Sequence, residues 1–228
     1  MSVMCLAISG DMASLFAPGK IEEARHVEIN DLNECADSIK RGFGHDFRKK
    51  KLLVAANFEK TLIRVAPCRK RRTSSRDAWE LLKCVFPFGA TINEDSHVFD
   101  VGTFSSKYFL CGLPAGLSEL LTKIGVELTG SIHYVVAIES VEHMIYRQEL
   151  GDAANKLIVF PQENGFRLLF AQGGLPEDVF YVKNHPVRRL DELKNIIDTM
   201  GAWEYELKIL PFGCESELIL ELIKSIRR

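Results

Sequence analysis

Residues 156–183 read KLIVFPQENGFRLLFAQGGLPEDVFYVK: the apolar runs LIVF, FRLLFA and VFYV, separated by PQENG and QGGLPED. β-Branched and aromatic residues bounded by Asn-Gly and Gly-Gly-Leu-Pro predict a β-meander. The chain opens on a second one. Met4–Ile8 and Ala13–Ala17 flank Ser9-Gly10-Asp11, and Pro18-Gly19 precedes a third run from Ala24 to Ile29.

Each meander leads into helix, strand, helix. After the first, Asn30 or Asp31 can cap a helix carrying Leu32, Cys35, Ala36 and Ile39 on one face, with Gly42 and Gly44 marking its end. Lys51–Ala56 and Thr61–Ala66 predict a strand pair around Asn57–Lys60, and Ala78, Leu81, Leu82 and Val85 a helix stopped by Pro87. Val98–Val101 and Lys107–Leu113 predict another strand pair, Pro114–Ile124 a helix, Ser131–Ala137 a strand and Glu139–Gln148 a helix. The second meander is followed by a helix over Arg188–Met200, a strand over Glu204–Leu210, the loop Pro211-Phe212-Gly213 and a helix over Glu217–Ile226.

A duplicated plan of this kind defines an α/β fold with two lobes and mixed sheets. We assign residues 1–140 to a first lobe, with a small inserted subdomain at about 48–113, and residues 141–228 to a second. A helix near Glu139–Asn155 can bridge them.

Composition narrows the function. With 46% hydrophobic and 26% charged residues, the 228-residue chain is that of an ordinary globular protein. A net charge of −2 argues against nucleic acid or an acidic membrane as a global partner. Cys5, Cys35, Cys68, Cys84, Cys111 and Cys214 are scattered without a C-x-x-C, which suits reduced thiols of the cytosol better than disulfides or a metal site. No basic region precedes the first apolar run, so no secretory signal is expected, and no run is long enough to span a bilayer.

Two meander-led halves are the layout of the actin-like ATPase (ASKHA) superfamily, whose core is ribonuclease H-like. The middle of the chain resembles its pilus-assembly branch, the PilM-type proteins and the cytoplasmic part of GspL-type type II secretion proteins. Phe86-Pro87-Phe88, Leu113-Pro114, Gly125 and Glu139 carry that resemblance, which spans nearly the whole chain through element order and weak motifs.

The departures decide the expected chemistry. Actin-like ATPases hold phosphates in tight Asp-x-Gly turns, one per meander. Here Ala7 stands at the first aspartate position and Ser9 at the glycine, although Gly10-Asp11 follows directly. In the second meander Phe160 replaces the carboxylate, Pro161 removes a backbone donor, and Gln162 follows. The adenine-side loop is Pro211-Phe212-Gly213-Cys214 in place of a glycine-rich turn. Without these groups phosphoryl transfer loses its electrostatic support. The expectation is therefore no ATP hydrolysis, no nucleotide cofactor, no metal and no catalytic residue.

The resemblance implies a non-catalytic scaffold, a bacterial pseudo-ATPase of a type IV pilus or type II secretion platform. It would lie in the cytoplasm at the inner membrane, binding the cytoplasmic tail of a membrane protein and an assembly motor ATPase. The basic runs Arg48-Lys49-Lys50 and Arg69-Lys70-Arg71-Arg72 could form a partner-binding edge, against the plainer reading of solvated charges beside apolar strands. The end Ser225-Ile226-Arg227-Arg228 would suit a membrane span following it, as in GspL-type proteins; if the chain stops there, PilM-type proteins are nearer.

The rival from another class is an ATP-dependent small-molecule kinase or ATPase with unusual phosphate loops. A third is a peptide binder acting by sheet-edge addition. Glu139, Glu142 and His143 could do acid–base work, but they read more simply as a capped first turn followed by a solvated face. The six histidines form no metal-type pair at helical spacing.

Overall fold

A computed structural model describes residues 3–44, 47–48, 50–58, 61–68, 97–149, 153–162, 164–183 and 189–210. The first meander is β1 (Val3–Ser9), β2 (Met12–Phe16) and β3 (Arg25–Glu28). Helix α1 (Cys35–Phe43) follows, then β4 (Lys51–Ala56), β5 (Leu62–Pro67), β6 (His97–Phe104) and β7 (Lys107–Pro114). Helix α2 (Ala115–Thr129), β8 (Val135–Ser140) and α3 (Val141–Glu149) lead to the second meander: β9 (Lys156–Gln162), β10 (Gly165–Gln172) and β11 (Leu175–Lys183). Helix α4 (Arg189–Met200) and β12 (Glu206–Ile209) complete the described elements.

The strands form a five-stranded sheet ordered β3-β2-β1-β4-β8, a four-stranded sheet ordered β11-β10-β9-β12, and a three-stranded sheet ordered β5-β7-β6. In the first two, a meander joined through its first strand to a parallel neighbour is the shared plan: β1 pairs with β4, and β9 with β12. The fold is thus mixed α/β, two-lobed and duplicated.

The predicted β4–β5 hairpin does not form. β4 lies between β1 and β8, parallel to both, while β5 pairs antiparallel with β7. The sequence holds the reason: KLLVAA is almost continuously apolar, as a strand covered on both faces must be. Of the stretch assigned to an inserted subdomain, Lys51–Ala56 therefore belongs to the five-stranded sheet, and the three-stranded sheet begins at Leu62. Boundaries also move around the next crossover. Ile132–Tyr134 is a 3-10 turn, β8 runs to Ser140 and so includes Glu139, and α3 starts at Val141. The predicted helix bearing Ala78–Val85 and the helix at Glu217–Ile226 lie outside the described residues.

Alternation along the strands builds three cores. Leu6, Ile8, Leu15 and Val54 face α1 and α2, meeting Ile39, Phe43, Leu121, Ile124 and Leu128. On the second sheet, Leu157, Val159, Leu168 and Phe170 face α4 through Leu193 and Ile197. The opposite faces of both sheets share one core. Cys5, Ala7 and Ala55 join Ile158, Phe160, Leu169 and Ala171, with Met144, Ile145 and Tyr146 of α3 and Phe109 of β7.

One glycine is required by the second meander. Gly165 opens β10 with φ at 155°, and a Cβ there would stand 2.1 Å from the Val182 carbonyl oxygen. That neighbour is backbone and cannot swing aside. Gly165→Ala is expected to cost about 2–3 kcal/mol, read as a fall in the urea midpoint at unchanged slope.

Candidate functional site

Ligands of open α/β sheets sit beyond the carboxyl ends of the parallel strands. In this protein the ends of β1, β4 and β9 converge, and alternation decides what each brings there. The face of β1 that carries Cys5 and Ala7 ends at Ser9, and the face of β9 that carries Ile158 and Phe160 ends at Gln162. On β4 the face bearing Leu53 and Ala55 continues to Asn57, whose backbone N–H donates to the Ile8 carbonyl at 2.8 Å. Ser9, Asn57 and Gln162 are all buried.

These three side chains join the two sheets directly. Asn57 Nδ2 donates to Ser9 Oγ at 3.2 Å and to the Pro161 carbonyl at 2.8 Å. Gln162 Nε2 donates to Asn57 Oδ1. Because the Pro161 carbonyl points toward Asn57, the N–H that proline lacks is missing from that same side. At the turn expected from the sequence to face a phosphate, the second meander presents an acceptor, already occupied by Asn57.

An ion pair extends the network. Arg167 of β10 lies opposite Phe160, and its Nη1 bonds Glu142 Oε1 with side-chain exposures of 5% and 1%. Arg167 Nη2 donates to the Thr61 carbonyl at 2.9 Å, at the entry to the three-stranded sheet, and Gln162 Nε2 lies 3.4 Å from Glu142 Oε1. Glu142 sits in the first turn of α3, where the helix N-terminus favours its charge. Burial pushes its carboxyl above the ordinary value, with the Arg167 guanidinium pulling the other way. Glu142 Oε2 and Gln162 Oε1 are buried without a hydrogen-bond partner among the described residues.

The predicted site residues fall into distinct places. Ala7 and Phe160, expected from the sequence at the two aspartate positions, are both fully buried in the core shared by the sheets. Ser9 and Gln162 belong to the polar network, whereas Asp11, the candidate for a shifted turn, is exposed. Gly213 and the rest of its loop lie outside the described residues. Of the basic edge, Arg48 is exposed and Lys50 half-buried, while Lys49, Arg69, Lys70, Arg71 and Arg72 lie outside the described residues.

The solvated face predicted for α3 is corrected by the structure: Glu142 and His143 are both buried. The helix packs between sheets, so the side opposite Met144 and Ile145 is covered as well. Ser140 caps it, its Oγ accepting from the His143 backbone N–H at 3.0 Å and lying 2.8 Å from Cys111 Sγ. Sequence reasoning missed Asn57, Thr61, Glu142 and Arg167 as a group. The signal available was a lone arginine in the otherwise apolar run FRLLFA, which needs a buried partner.

The fold is that of the actin-like ATPases. The chain is similar to a Bacteroides thetaiotaomicron protein with an actin-like ATPase fold and unknown function, with a TM-score of 0.58 at 11% identity over 99% of this chain and 88% of that one. It is similar to a chain of the PilM–PilN type IV pilus biogenesis complex, with a TM-score of 0.52 at 13% identity over 99% of this chain and 73% of that one. The cytoplasmic domain of EpsL, an inner-membrane component of the type II secretion system of Vibrio cholerae, matches with a TM-score of 0.48 at 9% identity over 99% of this chain and 94% of that one. No protein-family profile and no curated protein matches the sequence.

Proposed function

We propose that this protein is a non-catalytic, actin-like scaffold of a type IV pilus or type II secretion platform at the cytoplasmic face of a bacterial inner membrane. The observation that carries the non-catalytic part is the filling of the phosphate position. Phe160 and Ala7 are buried where carboxylates would orient magnesium and water, and Asn57 bridges the two turns. A nucleotide phosphate would have to displace this packing and would then meet no carboxylate at either aspartate position.

Its binding partner is the cytoplasmic tail of an inner-membrane pilus or secretion protein, and a motor ATPase would dock on the same platform. The likeness to a chain of the PilM–PilN complex supports this choice of partner. The basic edge from Arg48 through Lys50, with Arg69–Arg72, would contact an acidic segment or an anionic membrane surface. Residues 1–140 and 141–228 form the two lobes of the scaffold. Among the described residues, no helix is long and apolar enough to cross a membrane.

Titration calorimetry with magnesium and ATP is expected to give no binding heat. Micromolar affinity would overturn the scaffold proposal in favour of a kinase or ATPase. Immobilised tails of candidate inner-membrane proteins are expected to retain the full chain, more weakly when Arg48 and Lys50 are both changed to Glu.

A further inference from the structure

We infer that Asn57, Gln162, Glu142 and Arg167 form an interlobe latch that fixes the two lobes and the three-stranded sheet at a single closure, without any ligand. The inference stands on the geometry of these residues and holds whichever partner the scaffold binds.

The four residues come from different elements: Asn57, Gln162 and Arg167 each bond across the lobes, and Glu142 of α3 joins Gln162 to Arg167. Asn57, at the end of β4 in the five-stranded sheet, holds the Pro161 carbonyl of the four-stranded sheet. Arg167, from the four-stranded sheet, holds the Thr61 carbonyl beside the three-stranded sheet and the Glu142 carboxylate of the connecting helix α3. Gln162 ties both halves of the network together through Asn57 and Glu142. All four are buried, so opening the lobes would break these bonds and expose the apolar core beneath them.

Two outer clamps act in the same sense. Lys107 Nζ of β7 meets Glu177 Oε2 of β11 at 2.9 Å, and Lys208 Nζ of β12 meets Glu22 Oε1 beyond β2 at 2.9 Å. Lys208 holds the Glu22 carboxyl below its ordinary value. The inner bonds are shielded from solvent and the outer ones only partly, so salt weakens the clamps and leaves the latch. A hinge movement in a two-lobed protein needs a second arrangement of the interface that is comparable in free energy. Bonds that join three sheets through buried, directional contacts oppose one.

The test measures the distance between lobes by pulsed electron paramagnetic resonance on the full chain. Spin labels are placed at Asp37→Cys on α1 and Asp191→Cys on α4, both exposed, in a background carrying Cys68→Ser, Cys84→Ser and Cys214→Ser. The native network is expected to give one narrow distance distribution, unchanged at high salt. Asn57→Ala removes the bridging amide without leaving a buried charge and should add a second population at another distance. Arg167→Met should do the same where it folds. A broad distribution with the network intact, or a narrow and unshifted one in folded Asn57→Ala, overturns the latch. Partner capture does not enter this readout, so its failure and the failure of the scaffold proposal are separable.

Discussion

Phe160→Asp, which puts a carboxylate at the position proposed for the second meander's phosphate turn, is expected to unfold the protein or nearly so. Phe160 is fully buried within the core shared by both sheets. Truncating a buried phenylalanine costs about 3–5 kcal/mol, and placing a carboxylate there adds a desolvation penalty of several more, because the cation opposite, Arg167, is already paired with Glu142. Domains are stable by only about 5–15 kcal/mol. Equilibrium denaturation in urea with Phe160→Leu alongside is the measurement: the leucine variant should lose far less and keep a native transition. A Phe160→Asp protein that keeps native stability and gains magnesium-dependent ATP affinity would show the turn at Phe160 to be a masked nucleotide site.

Arg167→Met is expected to cost about 3–5 kcal/mol, because it leaves the Glu142 carboxylate buried without its cation. Changing both partners, Glu142→Gln with Arg167→Met, should recover a large part of that loss, since no uncompensated charge remains. The cost should also depend on pH in a defined direction. Removing Arg167 takes away the charge that opposes burial, so the Glu142 carboxyl rises further above its unfolded value near 4.5. A carboxyl with a raised value in the folded state binds protons there more readily than when unfolded. Stability is therefore lost as pH rises through that window and regained as pH falls toward 4.5. The gap between native and Arg167→Met urea midpoints should widen from acid to neutral pH. A gap that is constant or narrows would show that Glu142 is not the group left behind.

Local pattern carried much of the architecture. Both meanders, helices α1, α2 and α4 and strand β12 were legible because alternation, helical periodicity and glycine turns are short-range signals. That Ala7 and Phe160 carry no carboxylate is read directly from the sequence. Side-chain meetings between distant segments were not. Arg167 lies 25 residues from Glu142 and 106 from Thr61, and Asn57 lies 104 from Pro161. Nothing in Asn57-Phe58-Glu59-Lys60 distinguishes that asparagine from an ordinary turn residue. The strand β4 was legible but its pairing was not, for a related reason. A parallel strand finds its neighbours across long crossovers, so its pairing leaves no local trace beyond apolar continuity. Glu142 and His143 were misjudged because the polar side of a helix predicts solvent only when nothing packs on it.

The core between the sheets also bears on how the chain reaches this structure. It brings Cys5 and Ala7 of the first strand together with Ile158, Phe160 and Leu210. As the polypeptide is made, β1 and β2 can pair early, but the core on one face of that hairpin is not complete until residues more than 150 positions later arrive. Contacts this distant in sequence slow folding and prolong the exposure of apolar strands. The folding of the first half is thus completed only after the second meander has been synthesised.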